Sequence, residues 1–338
     1  MNSAVKNTGL EDKIFTAGEG GFESLALELF RFQYEYNAVY RDYCRALSVD
    51  PQKINSINKI PFLPIGFFKT HRITMDGPGE EAVFESSGTT GSTSSRHFVK
   101  KLELYKKSFL LAFKKFYGSA DQYCILGLLP SYLERKNSSL VMMVDELIKQ
   151  SHHPLSGFYL DDHEKLYKTI LHNEILKQPT ILIGVTYALL DFTEKYQPEL
   201  RYTTVMETGG MKGRREELTR QEVHSVLKSK LGVPYVHSEY GMTELLSQAY
   251  SKGEGLFNCP GWLKIVIREE DDPLSVLTAD KIDNKIISGA INIIDLANIY
   301  SCAFIATDDA GKLHPDGRFE VMGRIDNSDI RGCSLLAL

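Results

Sequence analysis

The first part of the chain has apolar residues at every third or fourth position, a spacing that is typical of an amphipathic helix. Residues 22–47 keep this spacing and predict one long helix. Farther along, short apolar runs alternate with helical patterns. The apolar runs predict strands at residues 82–84, 123–129, 180–184, 203–206 and 234–237. The helical patterns between them predict helices at residues 102–117, 139–150, 164–176, 187–196 and 214–230.

This alternation of strands and helices predicts an α/β fold with a largely parallel sheet covered by helices. After about residue 250 the pattern changes to short strands separated by Gly, Asp and Pro turns, at residues 263–268, 284–294 and 303–306. We therefore predict four parts. They are an N-terminal helical segment (1–75), an α/β core (76–250), a smaller β-rich lobe (251–323), and a hinge with a C-terminal arm (324–338).

Composition and charge disfavour some functional classes of protein. The 338 residues are 43% apolar and 25% charged, which is enough apolar material for a large core. Lys and Arg number 39 against 44 Asp and Glu, and there is no long basic run. The sequence therefore gives no sign of nucleic-acid binding. No apolar stretch approaches 18 residues, and no signal-peptide layout begins the chain, so we expect no membrane span.

The five cysteines are far apart and form no Cys-x-x-Cys pair, which favours free thiols and a cytoplasmic location. They are Cys44, Cys124, Cys259, Cys302 and Cys333. No metal-ligand spacing and no Gly-x-Ser-x-Gly elbow is found, so a zinc enzyme and a serine hydrolase are both disfavoured.

Residues 86–95 are all Ser, Thr or Gly. A strand that leads into such a loop offers glycines for tight turns, free amides and hydroxyl donors, which together can wrap phosphate oxygens. The Gly-Lys-Ser/Thr ending of a Walker A loop is absent. A flexible linker is the other interpretation of this composition.

Four motifs in order resemble those of the adenylate-forming enzymes. The loop begins Ser86-Ser87-Gly88-Thr89-Thr90-Gly91, and the later segments are Tyr240-Gly241-Met242-Thr243-Glu244, Thr307-Asp308 and Gly323-Arg324-Ile325-Asp326. Within that superfamily the chain is most similar to acyl-protein synthetases of the LuxE type, through residues 60–70, 207–214 and 331–334. The Glu-Thr-Gly-Gly block at 207–210 also resembles phenylacetate-type CoA ligases.

The resemblance implies a fold, a reaction and its reagents. The expected fold is the N-terminal domain of the superfamily, with mixed sheets, flanking helices and a smaller β-rich lobe. The expected reaction joins a carboxylic acid, chiefly a fatty acid, to AMP with ATP and Mg²⁺, and then passes the acyl group to a protein thiol. An acyl reductase or another acceptor protein is the implied partner. An acyl- or aryl-CoA ligase and a non-catalytic nucleotide- or acyl-binding protein stay open as alternatives.

The resemblance also implies a role for each motif residue. The loop would hold the β- and γ-phosphates through Ser86, Ser87, Gly88, Thr89, Thr90 and Gly91. Thr243 would donate to the α-phosphate and Glu244 would bind Mg²⁺. Tyr240 and Gly241, with Gly209 and Gly210, would contact the adenine, Asp308 the ribose, and Arg324 the ribose or phosphate. A helix N-cap at Thr243 and a β-turn at Asp308 are the structural alternatives.

The sequence departs from the superfamily in two places. The loop lysine is missing near Ser94, and Arg96 is the nearest cation. The chain also ends a dozen residues after Asp326, where a further domain with a catalytic lysine is usual, so we expect that domain to be lacking. The resemblance assigns the acyl-carrying thiol to Cys333. Its arm extends at most about 23 Å from Asp326, and packing with its leucine neighbours is the alternative role.

Overall fold

The computed structural model of the protein describes residues 9–16, 18–77, 79–86, 93–129, 137–210, 218–270, 272, 274–277 and 285–325. Its α-helices are α1 (Leu10–Ile14), α2 (Phe22–Tyr36), α3 (Ala38–Ala46), α4 (Phe67–Thr70), α5 (Leu102–Tyr117), α6 (Ser139–Ser151), α7 (His163–Leu176), α8 (Thr186–Lys195) and α9 (Arg220–Leu231). Its strands are β1 (Leu63–Pro64), β2 (Ala82–Glu85), β3 (Arg96–Val99), β4 (Cys124–Leu128), β5 (Gly157–Phe158), β6 (Thr180–Gly184), β7 (Thr203–Glu207), β8 (His237–Tyr240), β9 (Ala249–Ser251), β10 (Leu256–Asn258), β11 (Leu263–Arg268), β12 (Val276–Leu277), β13 (Ile287–Asp295), β14 (Phe304–Leu313) and β15 (Phe319–Arg324).

The first of two compact units is built on a mainly antiparallel sheet. Among the described residues it comprises 9–109, 242–248 and 259–325. Its strand order is β12-β11-β13-β14-β15, and β1 pairs in parallel with the start of β14. Strand β13 is buried along nearly its whole length, with Ser288 its one exposed residue. The strands predicted in this region are present, and β14 extends beyond the predicted residues 303–306.

The second unit contains the parallel sheet. Among the described residues it comprises 110–241 and 249–258. Its strand order is β10-β9-β8-β7-β6-β4-β5. Strands β4 to β8 are parallel, and β9 is antiparallel to both of its neighbours, β8 and β10. Every residue of β4 and β6 is buried, as is typical of parallel strands that are covered on both faces. The prediction of a largely parallel sheet is confirmed for this unit.

The prediction of one long helix at residues 22–47 is wrong. The helix divides at Asn37, whose extended backbone (φ −106°, ψ 104°) ends α2 and begins α3. The Asn37 side chain accepts from the amide of Tyr40 at 3.0 Å, as an N-cap does, and its amide group donates to the carbonyl of Ser301 at 2.8 Å. A tertiary contact therefore sets the break, and the apolar spacing continues through it.

Three other predicted elements need correction. In the part of the chain that the structure describes, the strand at 82–84 pairs with β3 alone, in a separate antiparallel hairpin, and the pattern did not predict β3. The strand predicted at 234–237 runs instead over His237–Tyr240. The helix predicted from residue 214 begins at Arg220, because Thr219 and Glu222 form a capping box there. Within the described ranges, no helix is long and apolar enough to cross a bilayer.

Candidate active site

The Ser/Thr/Gly loop leaves and rejoins the β2–β3 hairpin at a closed neck. The amide of Ser86 donates to the carbonyl of Ser95 at 3.0 Å, and the amide of Ser95 donates to the Ser86 hydroxyl at 2.9 Å. Ser95 is only 3% exposed. The structure thus locates both ends of the loop. The remaining predicted phosphate ligands lie outside the described residues: Ser87, Gly88, Thr89, Thr90 and Gly91.

Glu244 lies at this neck. The residue is 5% exposed, and its carboxylate accepts a hydrogen bond from the Ser95 hydroxyl. Burial raises the pKa of Glu244, the Ser95 bond and the charge of Arg324 oppose the rise, and the charge of Asp309 adds to it. Glu244 lies about 150 positions after the loop in the sequence, and Arg324 lies still farther along. The motifs that contain them therefore meet in the first unit.

Two consecutive carboxylates on strand β14 have different neighbours. Asp309 is 7% exposed, and its Oδ1 lies 3.5 Å from Nε of Arg324, its partner in the register of β15. Asp308 is half-buried, and its charge acts on the guanidinium of Arg268. Successive side chains of a strand point to opposite faces, so only one of the two can approach Glu244. That residue is Asp309, which the sequence analysis did not select.

Buried side chains hold the backbone of Thr243 and Glu244. Ring Nδ1 of His97 lies 2.9 Å from the carbonyl oxygen of Thr243. Its Nε2 lies 3.0 Å from Oδ1 of Asn298, whose amide group donates to the carbonyl of Glu244 at 2.8 Å. His97 and Asn298 are both essentially inaccessible to solvent. The two residues predicted to act on phosphate and Mg²⁺ therefore lie on a fixed segment.

The next turn of the same segment is fixed by Asp295. Its carboxylate accepts from the amide of Leu246 at 2.8 Å and from the hydroxyl of Ser247 at 2.6 Å. Burial raises the pKa of Asp295 to about 6, although these hydrogen bonds lower it. Asp295 ends strand β13, so the sheet of the first unit holds residues 246–247, while His97 and Asn298 hold residues 243–244.

In the second unit, Gly209 and Gly210 form a left-handed turn at the end of strand β7. Their φ angles are +71° and +92°, a region that only glycine adopts without strain. The amides of Thr186 and Tyr187, at the start of helix α8, donate to the carbonyls of Gly209 and Gly210 at 3.1 and 3.4 Å. The predicted adenine turn therefore has no side chains, and two amides of helix α8 hold its carbonyls.

Glu207 holds this turn through hydrogen bonds, and its side chain is buried, with 4% of the residue exposed. Its Oε2 accepts from the amide of Gly209 at 2.7 Å and from the hydroxyl of Thr186 at 3.2 Å, and Oε1 lies 3.5 Å from both Arg220 and His224. Burial would raise the pKa of Glu207, but the hydrogen bond to His224 and the charge of Arg220 lower it to about 2. The carboxylate is therefore ionised and internally neutralised.

Tyr240 lies on the neighbouring strand β8 of the second unit. It is 9% exposed and packs against the ring of Phe257, with centroids 5.8 Å apart. The adjacent Glu239 is half-buried, and burial together with the charge of Glu207 raises its pKa to about 8. Tyr240, Gly209 and Gly210 thus belong to one sheet edge, and Gly241 follows directly in the chain.

The comparison with known protein families shows to which family the chain belongs. A family model described as acyl-protein synthetase, LuxE, matches residues 18–337 of the 338. The chain belongs to the LuxE family of acyl-protein synthetases. The family membership predicted from residues 60–70, 207–214 and 331–334 is confirmed.

One curated relative of this LuxE-family chain is the long-chain-fatty-acid–luciferin-component ligase of Aliivibrio fischeri. The two are 23% identical over 368 aligned positions, which cover 99% of this chain and 94% of the relative. Among solved structures, ATP-bound MatB from Rhodopseudomonas palustris matches with a TM-score of 0.53 and 15% identity, over 74% of this chain and 49% of MatB. Apo MatB gives the same TM-score over 77% and 51%.

These likenesses confirm the predicted fold, which is that of the N-terminal part of adenylate-forming enzymes. The LuxE-family chain spans about half the length of the solved structures that it matches. The roles of the individual site residues and the four-part division of the chain stay predictions. Cys333 lies outside the described residues.

Proposed function

We propose that this LuxE-family protein activates a long-chain fatty acid with ATP and transfers the acyl group to a protein thiol. In the first step a carboxylate oxygen of the acid attacks the α-phosphorus of ATP. The bond from that phosphorus to the bridging oxygen breaks, and pyrophosphate leaves. In the second step a thiolate attacks the acyl carbon, and AMP leaves with the electrons of the broken carbon–oxygen bond. The family and the fatty-acid ligase of Aliivibrio fischeri support this reaction.

The observation that carries the proposal is the meeting of Ser95, Glu244, Asp309 and Arg324 in one unit. A loop that offers only hydroxyls and amides needs a cation to balance phosphate charge. Glu244 supplies a hard oxygen ligand for Mg²⁺ beside that loop, and Arg324 supplies a fixed positive charge. Phosphoryl chemistry depends on such positioning and charge more than on a strong base.

The residues present fit a magnesium nucleotide. No group of three or more His, Cys, Asp or Glu suited to a metal ion is found in the described part of the chain. Mg²⁺ typically binds one or two carboxylates and takes its other ligands from phosphates and water, so Glu244 beside a phosphate loop is a sufficient protein contribution. When bound there, the ion would neutralise charge on the phosphates.

The other roles follow from the placement of each group. Thr243 would donate to the α-phosphate from the segment that His97 and Asn298 hold. Asp309, or Asp308 as predicted from the motif, would accept from the ribose hydroxyls. Tyr240 with the Gly209-Gly210 turn would contact the adenine, because a turn without side chains permits close approach.

The proposed acyl carrier is the thiol of Cys333. A thiolate is a good nucleophile toward an acyl-adenylate, and the thioester that it forms is reactive enough to pass the acyl group onward. The acceptor would be a second protein, such as an acyl reductase.

Pyrophosphate exchange and intact-protein mass test the two steps separately. We expect fatty-acid-dependent exchange of pyrophosphate into ATP, and a mass increase equal to one acyl group. Glu244→Gln should lower the exchange rate at least about 100-fold, whereas the control Glu320→Gln, on β15 and paired with His314, should not. Cys333→Ser should abolish the adduct and keep exchange, and Cys259→Ser should keep both.

Other results would replace the proposal. Turnover that requires CoA and leaves no acyl-protein would identify an acyl-CoA ligase. ATP binding without carboxylate-dependent exchange would identify a non-catalytic nucleotide-binding protein.

A further inference from the structure

Strand β3 carries a buried histidine two residues after the loop neck. His97 has no exposed surface. Its ring packs edge-on against Phe68 and Phe84, with centroid distances of 5.8 and 6.5 Å. A polar ring in such apolar surroundings is costly unless its nitrogens are hydrogen-bonded. The partners of those nitrogens therefore indicate why a histidine occupies the position.

Both partners present oxygen to the ring. The carbonyl of Thr243 can only accept, so Nδ1 must carry a hydrogen for the 2.9 Å contact. The amide group of Asn298 donates to the carbonyl of Glu244, which fixes its oxygen toward Nε2 at 3.0 Å. Burial lowers the pKa of His97, and the two contacts raise it. In every protonation state that keeps the Thr243 contact, the hydrogen is on Nδ1.

Asn298 is itself held firmly. Its backbone carbonyl accepts from Nε2 of the buried Gln33 at 2.9 Å, and its amide donates to the carbonyl of Asp295 at 3.0 Å. The Gln33 side chain also accepts from the amide of Ala303 at 3.0 Å. Asn298 cannot move without breaking these buried bonds, so its side chain stays between the His97 ring and the carbonyl of Glu244.

We propose that His97 is a positioning residue for adenylation. Its Nδ1–H ties the strand that leaves the phosphate loop to the carbonyl of Thr243, beside Asn298, which holds the carbonyl of Glu244. The inference rests on the proposed function, since Thr243 and Glu244 act there on the α-phosphate and Mg²⁺. Fixing two backbone carbonyls sets the direction of both side chains relative to the loop. A displacement of about 1 Å in such a site can cost on the order of 100-fold in rate.

Substitutions at His97 test the contact with Thr243. His97→Phe keeps a ring between Phe68 and Phe84 and removes the hydrogen bond to Thr243. His97→Asn places an amide N–H close to the position of Nδ1 and can keep the contact with Thr243. The control Ile181→Ala removes buried apolar volume from β6 in the second unit and so lowers stability without touching the segment.

We expect His97→Phe to lower kcat for pyrophosphate exchange on the order of 100-fold, with KM for the fatty acid changed less than about threefold. His97→Asn should recover part of the loss, and Ile181→Ala should keep kcat at temperatures where it is folded. A kcat for His97→Phe equal to that of Ile181→Ala would overturn the inference.

Nitrogen-15 NMR of the histidines in the wild-type protein gives a readout that is independent of activity. Neutral histidine in water favours hydrogen on Nε2, whereas the contact with Thr243 requires a hydrogen-bonded Nδ1–H. Observation of that signal, and its loss in His97→Phe, supports the connection even if wild type shows no exchange, in which case the proposed function alone fails. A His97 ring without hydrogen on Nδ1 would refute the connection.

Discussion

The left-handed turn at Gly209 offers a direct test of the predicted adenine contact. An alanine at φ +71° is strained by about 1–2 kcal/mol. Among the described residues, no atom beyond the two chain neighbours lies within 4 Å of the Cβ position, so this strain comes from the backbone. In the wild-type turn the amide donates to Glu207 and the carbonyl accepts from Thr186, and these two hydrogen bonds hold the left-handed conformation.

The consequence for Gly209→Ala is a change in nucleotide affinity. If the turn relieves its strain in the free protein, ATP must restore the left-handed conformation on binding. The full 1–2 kcal/mol then appears as about a 5- to 30-fold rise in KM for ATP. KM for the fatty acid should stay within about threefold of wild type. Steady-state pyrophosphate exchange, with ATP and acid varied in turn, measures both constants.

Gly317→Ala is the matched control. Gly317 has φ +83°, and its Cβ position is also free of neighbours, but it lies in the turn between β14 and β15. Both substitutions place alanine at a left-handed glycine position, and only Gly209→Ala should weaken ATP binding. Equal KM values for ATP in the two variants would remove Gly209 from the nucleotide site.

Three further predictions concern stability. Glu207→Gln should destabilise the protein at pH 7. The stability that the low pKa of Glu207 supplies is present above pH 4.5 and is lost as the pH falls toward about 2, so the variant should have a flatter acid-unfolding profile. Glu239 has a raised pKa, so wild-type stability should fall as the pH rises from 4.5 to about 8, by about 1.4 kcal/mol per pKa unit, and thermal melts of Glu239→Gln should lack this fall. Asn37→Ala should cost about 2 kcal/mol in urea unfolding, through the lost cap and the unpaired carbonyl of Ser301; a cost under about 0.5 kcal/mol would contradict the assigned break between α2 and α3.

Elements with long, regular apolar patterns could be predicted from the sequence. Helix α5 and strands β6 and β11 begin and end at the predicted residues. Each buries one face or both faces, so the local pattern and the tertiary structure agree. The parallel sheet could be predicted from the sequence for the same reason.

Elements fixed by long-range contacts could not be predicted. Nothing local interrupts the helical spacing at Asn37, and the break depends on the distant Ser301. Strand β8 is polar (His-Ser-Glu-Tyr), and it lies in the sheet because Ser238 and its neighbours meet partners such as His224 there. A pattern of hydrophobicity does not contain such pairings.

The candidate site likewise contains residues that could be predicted from the sequence and a residue that could not. Motif order was enough to select Ser86, Glu244 and Arg324, which the fold brings together. It could not distinguish Asp308 from Asp309, because a turn and a strand were both compatible with Asp-Asp-Ala-Gly. Once β14 is known to be a strand through these residues, the alternation of its side chains assigns Asp309 to the side of Glu244.

Electrostatics separates the two buried glutamates that the motifs contain. Glu207 already has Arg220 and His224 beside it, so its charge is neutralised and a metal ion would have to displace them. Glu244 has a raised pKa because burial penalises its charge and Asp309 adds a second negative group, with Arg324 compensating only in part. A divalent cation would gain from both carboxylates and relieve that penalty. Replacing Glu207 should therefore reduce folding stability, whereas replacing Glu244 should change the Mg²⁺ concentration that the reaction requires; a Mg²⁺ requirement that responds to Glu207→Gln and not to Glu244→Gln would reverse the assignment.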